Sequence, residues 1–235
     1  MDRRSFVRSL PAIAVLAGSA PSPADEARAP IVLPRPEHEG GKSVLAALSE
    51  RRTVRALREE GLPPQVLSNL LWAGFGVNRE RGPFGTSGRT APSASNSQEI
   101  DLYVALPEAT YVYEPTSHRL VPVGAGDLRA LVGNRGQQGL GATAPVRLAY
   151  VVDLARYAKA PFQEPGLRDP EIQKAYYYVA TGLIAENVYL CAASQGLAAW
   201  FHNCDRQGLT AALQLRPDQR VLFGQTLGYP AEGFA

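Results

Sequence analysis

Cysteine is scarce: two residues in a chain of 235 cannot build a disulfide scaffold. Cys191 lies among Leu190, Ala192 and Ala193 in a helical stretch and reads as core. Cys204 follows His202 and Asn203 in a loop, and an oxidising compartment would permit the two to bridge. Histidine is equally sparse. His38, His118 and His202 are far apart, with no H-x-x-x-H or C-x-x-C spacing, so a zinc site has no support. Long apolar runs are missing too. The eleven apolar-to-small residues from Leu10 to Ala20 fall short of the roughly 20 that span a bilayer. Nor is there an excess of one charge. Lys and Arg number 24 against 22 Asp and Glu, and without Asp2, Arg3, Arg4 and Arg8 the balance is 21 to 21. A neutral molecule has no overall attraction for nucleic acid or anionic lipid. G-x-x-x-x-G-K-[ST], G-x-S-x-G, and G-x-G-x-x-G after a strand are all absent.

What is present describes one globular domain. Hydrophobic residues make up 45% and charged residues 20%, which separates the chain from disordered and membrane classes. Gly and Pro (22 and 19) are spread without a period, which excludes collagen-like arrays. The first 24 residues read as an address. Asp2-Arg3-Arg4-Ser5-Phe6-Val7-Arg8 precedes a mildly apolar run and small residues, the layout of an export signal. The paired arginines resemble the twin-arginine signal of bacteria, which implies a periplasmic protein exported already folded, often with a cofactor seated. Ser22-Pro23-Ala24 places cleavage after Ala24. Residues 25–42 form a Pro-rich arm, and 43–235 the domain.

Within that domain the pattern alternates helices and strands. Ser43 caps a helix to about Arg51, and Pro63-Pro64 opens a second whose apolar face carries Val66, Leu67, Leu70, Leu71, Gly74 and Phe75. Residues 78–98 form a long polar loop, a length usually reserved for function or mobility. Strands are predicted from Ile100 to Leu106 and from Val146 to Val152, with a hairpin at Tyr111–Val123 between them. Asp127 caps a short helix to Val132. Asp169-Pro170 starts the longest helix, which stops at Gly196. One stripe of this helix carries Ile172, Tyr176, Val179, Leu183 and Leu190, and another carries Ala180, Ile184, Val188 and Cys191. Apolar residues on two faces predict a central helix buried on both. A strand (Leu197–Phe201), a short helix (Leu209–Leu215) and a last strand (Val221–Leu227) complete the domain.

The chemistry concentrates at Arg51-Arg52-Thr53-Val54-Arg55, where three guanidiniums fall within five residues at a helix end. Guanidinium forks suit a phosphate dianion; equally, cations complement a helix C-terminus. The same residues resemble the R-R-[ST]-x-R element of the nitroreductase-like flavoprotein family. Arg89-Thr90-Ala91-Pro92-Ser93-Ala94-Ser95-Asn96-Ser97-Gln98 resembles that family's P-S-x-x-N-x-Q element. Leu190 to Leu197 is similar to the end of its central helix, and Leu227-Gly228-Tyr229-Pro230 to its final strand end. The four fall in family order over residues 43–230.

The resemblance implies an α+β fold, a mostly antiparallel central sheet flanked by helices around a long central helix, as a homodimer. It implies FMN as cofactor, with Arg51, Arg52, Thr53 and Arg55 on the phosphate and ribityl chain. Pro92, Ser93, Ala94 and Asn96 would reach the flavin across the dimer. A backbone N–H of the Phe201-His202-Asn203-Cys204 loop, assigned to Asn203 and Cys204, would face flavin N5. No general acid–base residue is required. His202 is either a group facing substrate or a surface histidine in that loop, and Trp200 and Phe201 read as core. The implied activity is an oxidoreductase acting on a small organic substrate, with NAD(P)H as the family's usual donor; the runner-up is a non-catalytic FMN- or partner-binding protein. The long insert before Arg89 is closest to the branch of azoline-peptide dehydrogenases. That branch's Lys-Tyr pair is not matched by Lys174-Ala175-Tyr176, so its activity does not carry over. The basic pair that many members place after the last strand is also absent.

Overall fold

The computed structural model describes residues 28–82, 85–133 and 144–233. The export signal and cleavage point expected from the sequence lie outside the described residues. In chain order the elements are β1 (Ile31–Val32), α1 (Val44–Glu50), α2 (Pro64–Phe75), β2 (Val77–Arg79), β3 (Gly88–Arg89), β4 (Ile100–Ala105), β5 (Ala109–Glu114) and β6 (Arg119–Ala125). There follow α3 (Arg129–Val132), β7 (Val146–Asp153), α4 (Pro170–Ser194), β8 (Ala198–His202), α5 (Arg206–Ala212) and β9 (Gln219–Gly228). Seven strands form one sheet in the order β1-β6-β5-β4-β7-β9-β8, and every neighbouring pair is antiparallel. The central strands β4 and β7 are buried on both faces. Leu102, Val104, Leu148 and Tyr150 pack under α2 and α4, and Tyr103, Ala105, Ala149 and Val151 under α3 and α5. The domain is therefore helix, sheet, helix in layers, as the α+β expectation has it.

Helix starts follow their caps. Ser43 Oγ accepts from the Ala46 N–H at 3.3 Å, and Asp169 Oδ1 from Glu171 at 2.9 Å with Pro170 at the first position. α5 begins three residues before the predicted Leu209, because Asp205 Oδ1 accepts from the Gly208 N–H at 3.0 Å. α2 and α4 approach closely at Gly74, where a Cβ would lie 2.8 Å from Val188 Cγ2. The Pro-rich arm contributes β1 to the sheet edge, and Pro34 C=O accepts from Ser68 Oγ at 2.6 Å. The long loop is not wholly irregular, since β2 and β3 pair within it.

α4 corrects one expectation. Ala180, Ile184 and Val188 are buried, but Val179 is 61% and Leu183 41% exposed, with Ile172 exposed beside them. Within one chain the helix is buried on one face only. α1 packs on α4 and adds exposed Val44, Leu45 and Leu48 to the surface.

Candidate functional site

The arginine segment leaves α1 and runs along the open edge of β8. The Val54 N–H donates to Ala199 C=O at 3.1 Å, the Arg58 N–H to Tyr229 C=O at 2.9 Å, and the Ala231 N–H to Ala56 C=O at 3.0 Å. The chain after β9 is thus engaged through its backbone with this segment. Tyr189 of α4 ties the corner. Its buried hydroxyl accepts from the Phe201 N–H at 2.7 Å and lies 3.3 Å from Thr53 Oγ1. A buried tyrosine needs such partners for its polar end.

Two of the three guanidiniums lie over aromatic rings, and all three keep exposed surface. Arg51 lies 5.4 Å from the Tyr189 ring centroid with Nε 3.6 Å from Glu186 Oε1, and Arg55 lies 5.6 Å from the Trp200 ring. Arg51 therefore turns to α4 and not to the carbonyls ending α1, so helix-end complementation does not account for it. Arg52 is exposed and lines a small pocket of about 140 Å³ with Val54, Tyr189 and Pro230.

Ala199 C=O and Phe201 N–H both point away from β9 on that open edge, and Asn203 follows two residues on, just past the end of the strand. From Ala199 to Asn203 is about 13 Å at 3.3 Å per residue. Asn203 is exposed just beyond β8, and Cys204 is half-buried, its thiol pushed up to about 11 by burial. Cys191 is raised in the same way, and both thiols are free.

His202 departs from both sequence readings: it ends β8 and is buried, not a loop or surface residue. Its Nδ1 faces Asn203 C=O and its Nε2 faces Thr226 Oγ1, each at 2.8 Å. Burial lowers its pKa, which keeps the imidazole neutral with both nitrogens occupied. Trp200 is core, packed against His202; Phe201 is partly exposed on the α4 side, against Tyr150 and Phe223.

The second motif stands apart. Ser93 Oγ accepts from the Gln98 N–H at 2.9 Å, and Asn96 Nδ2 donates to Thr86 Oγ1 at 2.7 Å. Pro92 is exposed and Ala94 half-buried. Ser95, Asn96 and Gln98 all have φ near +50°, a left-handed conformation that non-glycine residues adopt only when their surroundings impose it. No hydrogen bond or ion pair among the described residues joins this loop to residues 51–55. The loop ends at Glu99, whose C=O accepts from Asp153, beside Tyr157, whose hydroxyl reaches Gln173 C=O. Thr53 meets α4 at Tyr189 instead. Sixteen residues of α4 separate the two levels, about 24 Å at 1.5 Å per residue.

Sequence reasoning missed Tyr189 and Glu186. The one signal for Tyr189 was a tyrosine in a helix otherwise small and aliphatic at that end. Its partner Thr53 is 136 positions away, a distance no local pattern reports.

The sequence matches the Nitroreductase family over residues 48–229. A Methanocaldococcus jannaschii protein described as a nitroreductase is 31% identical over 159 residues, covering 64% of this chain and 73% of that one. A crystal structure described as a nitroreductase, from Ralstonia eutropha JMP134, is 34% identical and superposes with a TM-score of 0.77, covering 88% of this chain and 92% of the other. A Desulfovibrio desulfuricans structure in complex with FMN shares the fold at a TM-score of 0.55 and 18% identity, over 83% and 90% of the two chains. With the family match running from α1 to the end of β9, on a sheet and long helix that superpose on those of its relatives, the chain belongs to the nitroreductase family.

Proposed function

We propose that the protein is an FMN-dependent oxidoreductase, working as an exported homodimer on a small organic substrate. The observation that carries this reading is the arginine segment laid along the β8 edge. It sets Arg51 and Arg55 against Tyr189 and Trp200 along β8, with Asn203 following just beyond the end of that strand. The donor set fits the group. Arg51, Arg52 and Arg55 would hold a terminal phosphate, Thr53 a ribityl hydroxyl, and the Asn203 N–H the polar edge of the ring. FMN, when bound, supplies electron and hydride transfer at N5, so the protein's part is placement and electrostatics. A donor held on a strand edge costs no reorganisation during reaction.

Pro92, Ser93, Ala94 and Asn96 complete the site from the partner chain in this reading. Two features support it: the loop's separation from the arginines, and the exposed apolar surface formed by Val44, Leu45, Leu48, Val179 and Leu183. The family's usual reductant is NAD(P)H. In the periplasm, where it is scarce, another donor is required. Mass spectrometry of cofactor released from the purified protein is expected to give FMN, and turnover is expected with NADH, NADPH or an artificial donor. FAD, or no flavin after incubation with FMN, contradicts the proposal.

A further inference from the structure

Away from the arginine strip, a cleft of about 740 Å³ opens between the 86–98 loop, the tip of the β5–β6 hairpin and the segment after β7. Its walls are apolar and aromatic at Phe75, Tyr103 and Val112. Five charged side chains line it, and their pairing is uneven. Asp101 is held by Arg156 at 2.5 Å, and Glu114 by Arg119 at 2.5 Å. Arg89 and Lys159 have no carboxylate within 4 Å among the described residues.

Arg89 is half-buried, over the Phe75 ring at 5.5 Å, and its Nη1 is buried without any hydrogen-bond partner. An uncompensated guanidinium in such a place is costly unless an anion approaches it. It is also held in position. Arg89 Nε donates to Gln98 Oε1 at 2.6 Å, and Gln98 Nε2 donates to Ser87 C=O and Asn96 Oδ1 at 2.8 and 3.0 Å. Asn96 and Gln98, both left-handed, therefore carry the network that aims the cation.

We infer that this cleft is the recognition site for a carboxylate-bearing organic substrate, with Arg89 and Lys159 as the anion anchor. Charge sets the class. Asp101 and Glu114 are already paired with Arg156 and Arg119, so Arg89 and Lys159 are the two cations of the cleft left for an anionic ligand. The apolar wall takes the body of the molecule. As a statement about substrate the inference rests on the flavin reading, because Asn96 belongs both to this cleft and to the loop assigned to the partner's FMN.

The test is calorimetric titration of the FMN-loaded full-length mature protein with benzoate and with benzamide, its neutral isostere. Benzoate is expected to bind at least about tenfold more tightly, the worth of one charge-assisted contact. Arg89→Gln should lower the ratio to the roughly two- to fivefold that Lys159 supplies. Lys159→Gln, at an exposed position whose change leaves the fold intact, should lower it by roughly two- to fivefold. Equal affinity for the two ligands, no binding of either, or a preference unchanged in both variants overturns the inference. Flavin absorbance is read on the same samples. Protein without FMN that still prefers benzoate through Arg89 keeps the cleft and removes the flavin reading. FMN-loaded protein without the preference does the reverse.

Discussion

Three guanidiniums in five residues are visible to any reading of the sequence, but what each one does depends on neighbours that are not. Arg51 rests on Tyr189 and faces Glu186, both from a helix more than 130 positions later. Because it is held away from the end of α1, Arg51→Ala should cost FMN binding and leave α1 alone. The expected loss is roughly 1.5–3 kcal/mol, one to two decades in affinity. Flavin fluorescence titration measures it, and an unchanged affinity would remove Arg51 from the phosphate site. His202 shows the reverse limit. Its type and loop-like neighbours read as a substrate-facing group or a surface histidine, yet its environment makes it core. Its folded pKa lies below the ordinary value of about 6.5. Between those two values the unfolded chain binds more protons, so the stability from neutral His202 is present above about pH 6.5 and fades as pH falls below it. His118, lowered by burial as well, adds in the same direction. Urea unfolding at pH 7.5 and 5.5 should therefore show a loss on acidification that is smaller in His202→Gln. Equal losses would mean that His202 does not titrate as described.

At the scale of elements, legibility follows the source of each element's stability. α1, α2 and α4 carry their own start signals in Ser43, Pro63-Pro64 and Asp169-Pro170, and begin where these place them. β1, β2 and β3 are two or three residues long and exist through their partners, so no period announced them. For α4 the periodicity was readable but its meaning was not, since an apolar stripe does not say whether its own chain covers it. Two adjacent residues separate the cases. Ile184 is fully buried, so Ile184→Ala should destabilise the protein by about 2–5 kcal/mol. Leu183 faces outward, so Leu183→Glu should leave the fold standing and shift the protein from dimer to monomer. Sedimentation velocity and thermal melts distinguish these outcomes. A Leu183→Glu protein that remains dimeric places the subunit contact elsewhere.

The whole molecule adds what neither residues nor elements contain: the distance between the two motifs. Both motifs were legible, and their separation across the sheet was not, because it depends on the order β4-β7-β9-β8 and on the course of α4 beneath it. The proposed export is also a property of the whole chain. Arg3→Lys with Arg4→Lys should hold the precursor in the cytoplasm, and N-terminal sequencing of wild-type periplasmic protein should begin at Asp25; wild-type export of the double variant would exclude the twin-arginine route. The central claim is a flavin site built from two chains, and mixing variants tests it most directly. Arg51→Ala/Arg55→Ala protein is dissociated and reassociated with Pro92→Gly/Asn96→Ala protein, each binding FMN weakly alone. In a mixed dimer one pocket keeps both wild-type halves, so the account predicts that tight FMN binding returns at up to one site per heterodimer. Heterodimers that form without recovering a tight site would contradict it.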